Sequence, residues 1–588
     1  MTASKSRPAR EPQRDAPVLL PPFADCLVYA AIAVSCLMSA LVGAYRTDAD
    51  TVAYFDISDA LRNHDWHSAI NAYWFPLYPS LLTIARGIFG FRLRYEFMAA
   101  RLLDALLNLL FVLAAVALAA SVRRLMLARG IGVHELLPAP TLSLWVALVA
   151  WFFAAIDLLN SKPDSLVSAL MLLAVAALFR ALAGDGLLPW LAVGLYGGLA
   201  YWSKSFALPF FLLLIFLTAA TNLRRVRVLG RLALAVLVFA VIAAPLVWQI
   251  STLRGRFTYG ESGRLNLAWM VNRADRFNPV AGPAVWQPGS ATANFKHPGD
   301  LLLLSPSISY YGGTNSFGST PQWTDVSYWS DGLAPRFVLR DSLAAVRSNL
   351  SVLGSTIVMR FQAVLLAVLL GLWGFRMRRA SFADPTVLAG LAAAVVSIAL
   401  YAAVYLEPRY VAFAFVLIAA VYAATSLTRA PAAGTRSLHA AVLVAAALIQ
   451  LFALQTILRE DRQARQRGDR PLRGIYSLAI DSAGAQLAAL YPRGAEVACM
   501  GDNACWTDPY WAHYAGLRMT AIVETGHGFE QESAEEGCAK LAQNPVALDT
   551  LRSRNVRAII ARFDGTQPCS TAWRHLGQSP NFFYLPLQ

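Results

Sequence analysis

Asp48 and Asp50 stand one residue apart, directly after the first long apolar run, where a side chain can meet a lipid headgroup at the membrane–water boundary. They open a stretch rich in aromatics: Thr51-Val52-Ala53-Tyr54, Ile57-Ser58-Asp59-Ala60-Leu61, His64-Asp65-Trp66 and Tyr73-Trp74-Phe75-Pro76-Leu77-Tyr78-Pro79. The plain alternative is that both acids are solvated loop residues or cap a helix. Asp48-Ala49-Asp50 also has the spacing of a metal-binding Asp-x-Asp, which is a weak signal. Lys204 and Arg409 lie at the ends of other apolar runs, where a charge facing lipid is expensive unless it snorkels or is paired. Both are candidates to neutralise a phosphate, and Arg409 could instead pair with Glu407. Asp164, after Pro163, reads as a helix N-cap ahead of a substrate contact. Asp157 is an intramembrane acid, and Arg101 and Asp104, three apart, can pair with one another.

The elements that must position these residues are membrane helices. Of 588 residues 57% are hydrophobic and 15% charged, where a soluble protein carries about a quarter charged. Mean hydropathy is +0.48. Apolar residues come in runs of about 20, the length that crosses the hydrocarbon layer. Spans are expected at 23–44, 98–120, 140–158, 164–183, 189–203, 205–221, 232–250, 353–375, 385–405, 410–427 and 438–458. The arginines gather in alternate loops: Arg123, Arg124 and Arg129; Arg224, Arg225, Arg227 and Arg231; Arg376, Arg378 and Arg379; Arg429 and Arg436. The positive-inside bias puts these loops and a basic tail, 1–22, in the cytoplasm. The opposite loops carry at most one cation each, Lys162, Lys204 or Arg409. Segments 45–97, 251–352 and 459–588 are then outside. The net charge of +14 fits this bias and anionic lipid headgroups, with no pattern for nucleic acid. Four of the six cysteines lie in the last segment, where the compartment is oxidising. Three pairings are possible, and Cys499–Cys505 with Cys538–Cys569 is the one expected. Strands at Gly494–Met500, Met519–Glu524 and Val556–Phe563, with helices at Asp481–Leu490 and Glu535–Leu541, give a small α/β domain. Segment 251–352 is rich in aromatics (Trp269, Trp286, Tyr310, Tyr311, Trp323, Tyr328, Trp329) and too long for a simple connection, which marks a lid or acceptor site.

The first outer segment resembles the first outer loop of GT-C glycosyltransferases, the superfamily of the protein O-mannosyltransferases and lipid A aminoarabinose transferases. It is most similar to the bacterial group related to rhizobial lipopolysaccharide galacturonosyltransferases. Ser161-Lys162-Pro163-Asp164, Tyr201-Trp202-Ser203-Lys204, Glu407-Pro408-Arg409-Tyr410 and Asn315–Asp325 are similar to later motifs of these proteins, in the same order. The resemblance implies a polytopic α-helical membrane protein of GT-C fold, with about eleven transmembrane helices at 23–458. A small periplasmic α/β domain would follow at 459–588. It also implies an inner-membrane enzyme that moves a sugar from a polyprenyl phosphate donor to an envelope acceptor, with inversion. Asp50 matches the family's first-loop acid and is the expected general base. Lys204 and Arg409 would meet the donor phosphate; Asp48, Tyr54, Trp74, Tyr78, Asp164 and Glu407 are candidate substrate contacts. Aminoarabinose transferases often carry Lys-Pro-Pro in the first loop. Here Trp74-Phe75-Pro76-Leu77-Tyr78-Pro79 has no lysine, so other cations must bind the phosphate. No metal or other cofactor is expected, a divalent ion being the alternative. A lipid or polysaccharide transporter and a catalytically silent assembly scaffold are the competing functions. The first would favour broken helices meeting at mid-membrane, and the second differs only in lacking the chemistry of Asp50.

Overall fold

The computed structural model describes residues 22–42, 47–132, 136–156, 158, 162–184, 186–274, 295–297, 299–313, 316–355, 377–379, 384–428, 432–466, 468–470, 473, 477–524, 533–565 and 568–587. Asp157 and most of the expected span 353–375 lie outside them.

Apolar runs fold as helices because in lipid every backbone N–H and C=O must be satisfied within the segment. Those helices are Pro22–Val42, Glu96–Ala128, Ala139–Ile156, Asp164–Leu182, Val226–Arg254, Pro385–Ala402 and Ala432–Gln466. Among the described residues, seven helices are long and apolar enough to cross a membrane, which makes this a multi-pass membrane protein. Leu188–Ser203, Ala207–Ala220 and Ala412–Thr425 fill three more of the expected spans but are only 14 to 16 residues long. The first two of these meet at Lys204, whose extended backbone breaks the run. Leu188–Ser203 packs on Val226–Arg254 through small residues. A Cβ on Gly194 would lie 2.3 Å from the Ala235 carbonyl oxygen, so only glycine permits this approach.

Helix ends sort to two sides. At the end carrying the basic loops, buried His439 meets Asp25 and Thr141 at 3.0 Å each, and Arg129 meets Asp384 at 2.8 Å. At the other end lie Asp48, Lys162, Lys204 and Arg409, together with the extramembrane elements. The first outer segment folds into the helices Ala49–Arg62 and Leu77–Ile88.

The soluble part is a seven-stranded sheet in the spatial order 300–304, 307–310, 518–523, 496–500, 558–562, 582–586, 574–575. Its centre is parallel, with Cys499 opposite Ile522 and Ile560, and its flanks are antiparallel. Two corrections follow for the boundary expected at 459. The helix Ala432–Gln466 runs past it, and Asp300–Leu304 and Ser307–Tyr310 of segment 251–352 are strands of this same sheet. Disulfides join Cys499 to Cys505 and Cys538 to Cys569, with Cα atoms 5.4 and 5.9 Å apart.

Candidate active site

Eight stretches of the chain converge on one cavity of about 800 Å³. Its lining includes Asp48, Asp50, Tyr54, Trp74, Asp164, Lys204, Glu407 and Arg409. Tyr78 is not in that lining. It is fully buried beneath Tyr54, with ring centroids 5.0 Å apart, and its hydroxyl donates to Asp104 Oδ1 at 2.9 Å.

The acids are held by the start of the helix Ala49–Arg62. Asp48 is its N-cap and accepts from the Thr51 N–H at 2.9 Å. Asp50 falls in the first turn, where the helix dipole favours a negative charge. The Lys162 ammonium lies between them, 2.8 Å from Asp48 Oδ2 and 3.4 Å from Asp50 Oδ2. The Trp323 indole N–H donates to Asp50 Oδ1 at 3.0 Å, which fixes the plane of that carboxylate. Asp50 is 23% exposed, so the cavity reaches it. Burial alone would push the Lys162 ammonium pKa down; Asp50 and Asp48 beside it override this and hold it well above the usual range. Burial works against the Asp48 carboxylate in the same way, and Lys162 and Thr51 keep it below its ordinary value.

The cations are arranged by Asp164. It is the first residue of its helix and not the expected cap, a position taken by Pro163. Its carboxylate turns to Lys204 Nζ at 2.6 Å and Arg409 Nε at 3.4 Å. Arg409 also pairs with Glu407 at 2.7 Å, and Glu407 accepts from the Tyr405 hydroxyl at 2.5 Å. The Lys204 ammonium sits 3.9 Å from the centroid of the Tyr410 ring, a cation–π contact. Neither cation snorkels towards lipid; both line the cavity. Asp164→Asn should cost about 1–3 kcal/mol of stability. The amide can still accept from Lys204, but the two cations lose their shared counter-charge. A lowered unfolding midpoint of the detergent-solubilised protein reads this out.

Residues 256–264, Asn266 and Trp323 of segment 251–352 also line the cavity. Tyr201 donates to the Tyr259 carbonyl at 2.9 Å and Ser205 shares a hydrogen bond with Ser262 at 2.7 Å, so residues 256–264 lie against the Lys204 turn. Trp323 stacks edge-on with Trp74 at 5.8 Å and with Trp506 of the soluble part at 6.2 Å. Lys162, Arg256, Arg264 and Trp506 thus belong to the site without having been singled out from sequence. For Lys162 the signal was its place in Ser161-Lys162-Pro163-Asp164; for the others, contacts across the fold carry the information.

No protein-family model matches the sequence, and no curated protein matches it. In structure the chain is similar to ArnT from Cupriavidus metallidurans in the apo state, at 13% identity and a TM-score of 0.45, covering 96% of this chain and 98% of that one. It is also similar to the Archaeoglobus fulgidus oligosaccharyltransferase tethered with an acceptor peptide containing the NVT sequon. There the identity is 13% and the TM-score 0.37, over 91% of this chain and 69% of that one.

Proposed function

We propose that the chain is an inverting GT-C glycosyltransferase of the inner membrane, with its N-terminus in the cytoplasm and its C-terminal domain in the periplasm. It moves a sugar from a polyprenyl phosphate donor to an envelope acceptor. The observation that carries this is the meeting, in one cavity at the outer helix ends, of a solvent-reached carboxylate and two phosphate-suited cations.

Asp50 takes the proton of the acceptor hydroxyl as its oxygen attacks the anomeric carbon. The new C–O bond forms as the bond from that carbon to the phosphate oxygen breaks. The electron pair leaves with the lipid phosphate, and Lys204 and Arg409 neutralise it. Glu407 and Asp164 are positioning residues for Arg409, and Asp164 for Lys204. The scheme uses no divalent ion, a reading supported by the Lys162 ammonium between Asp48 and Asp50.

The test is reconstitution of the full chain in liposomes with a panel of polyprenyl phosphate sugars and extracted envelope acceptors. Release of free polyprenyl phosphate is expected with an acceptor present. Folded protein that releases none across the panel would favour a scaffold or a transporter instead.

A further inference from the structure

A second group of cations lines the same cavity, and the scheme above leaves it unused. Glu261 is 1% exposed and sits at the centre of the turn that follows the helix Val226–Arg254. Its N–H donates to the Ala72 carbonyl at 2.7 Å. Its carboxylate accepts from Arg256 at 2.7 Å, Arg264 Nε at 2.6 Å and the Thr258 hydroxyl at 2.8 Å. Burial disfavours that carboxylate's charge, but these donors hold its pKa below the ordinary range, so it stays ionised.

One buried carboxylate therefore orients two guanidiniums and leaves a net charge of +1. Arg264 also donates to the Leu333 carbonyl, while Arg256 pairs with Glu261. Both line the cavity, with side chains 36% and 28% exposed. The cavity's other acids are engaged elsewhere, Asp48 and Asp50 with Lys162, and Asp164 and Glu407 with Lys204 and Arg409. The Ser205–Ser262 hydrogen bond at 2.7 Å sets this pair beside the Lys204 turn, so the two groups of cations are neighbours. Oriented guanidinium forks match the oxygens of a phosphate or carboxylate. A cavity of about 800 Å³ falls in the upper part of the range for small-molecule sites, with room beyond one sugar phosphate.

We infer that Arg256 and Arg264 form a second anion subsite, which takes a phosphate or carboxylate carried by one of the two substrates in addition to the donor's first phosphate. This rests on the transferase function proposed above. The anion has two possible sources, a second phosphate in the donor linkage or an acidic group on the acceptor.

Wild type, Arg256→Gln, Arg264→Gln and Arg256→Lys are compared as full chains in liposomes, with release of the free polyprenyl carrier as readout. Donors are paired as polyprenyl monophosphate and diphosphate sugars. Acceptors are used as extracted, or after phosphate removal and carboxylate esterification. The Gln variants are expected to raise the KM of one substrate roughly ten- to a hundredfold with kcat little changed. Arg256→Lys should fall between them and wild type. A rise confined to the acceptor, and absent when its acidic groups are removed, places the anion there. A rise confined to the diphosphate donor places it in the linkage. Unchanged KM for both substrates in both Gln variants, with wild type turning over, overturns the subsite. Should the Gln variants fail to fold, a wild-type KM in Arg256→Lys overturns it equally, since lysine cannot reproduce the fork. A wild type that releases no carrier sinks the transferase function itself.

Discussion

Asp50→Asn is expected to lower turnover by about 10²–10⁴-fold while the protein stays folded. The asparagine carbonyl oxygen can still accept from the Trp323 indole, so the side chain keeps its orientation. Lys162 keeps Asp48, its nearer partner at 2.8 Å. The substitution therefore removes basicity and little else. An amide cannot take the proton that the acceptor hydroxyl must lose, and the remaining rate would come from the cations and from substrate positioning. Release of free polyprenyl phosphate, measured beside the thermal unfolding midpoint, separates the outcomes. Wild-type release from the folded variant would sink Asp50 as the base while leaving the enzyme in place. Loss of release with a midpoint near wild type is the expected result.

Periodicity and charge asymmetry made the membrane architecture legible, because a bilayer-spanning helix must be apolar over its whole length and its flanks obey a charge bias. The candidate charges could be named too, since an acid or cation at the mouth of an apolar run is rare. Their partners could not. The extended residue at Lys204 follows from two short runs meeting there, but nothing local says that its ammonium turns to Asp164, 40 residues earlier. Lys162 looked like one more loop cation until the fold set it between two carboxylates. The boundary at 459 failed for a related reason. Strands 300–304 and 307–310 complete a sheet whose other members lie about 200 residues later, and such pairings leave no local signature. Tyr78 was placed with the substrate contacts by its neighbours in sequence, yet it falls in the first turn of the helix Leu77–Ile88 and points into the core, while Trp74, which precedes that helix, lines the cavity.

Arg86→Met is expected to cost about 3–5 kcal/mol of stability, the scale for breaking a buried ionic network from one side. Arg86 is 3% exposed and pairs with Asp59 at 2.8 Å, with Glu96, and with the Ser58 hydroxyl at 2.8 Å. On the far side of Glu96 lies His513 of the soluble part, whose ring also meets Asp56 at 2.9 Å. Asp56 in turn accepts from the Ser319 N–H at 2.7 Å, and Tyr510 donates to Glu96 at 2.7 Å. One buried network thus joins the first outer segment, a membrane helix, segment 251–352 and the soluble domain. Burial alone would discharge His513, but Glu96 and Asp56 raise its pKa to about 10, from about 6.5 in an unfolded chain. A raised pKa of a basic group means that its contribution is complete below about pH 6.5 and is lost as pH climbs through about 10. The unfolding midpoint of wild type should therefore fall between pH 7 and pH 10, with faster hydrogen exchange in Tyr510–Ala515. Other groups titrate in that window, so the deciding quantity is the difference from His513→Gln. That variant should unfold at lower temperature at pH 7 and converge on wild type towards pH 10. A constant gap across the range would mean that His513 holds the domains together by shape and not by charge.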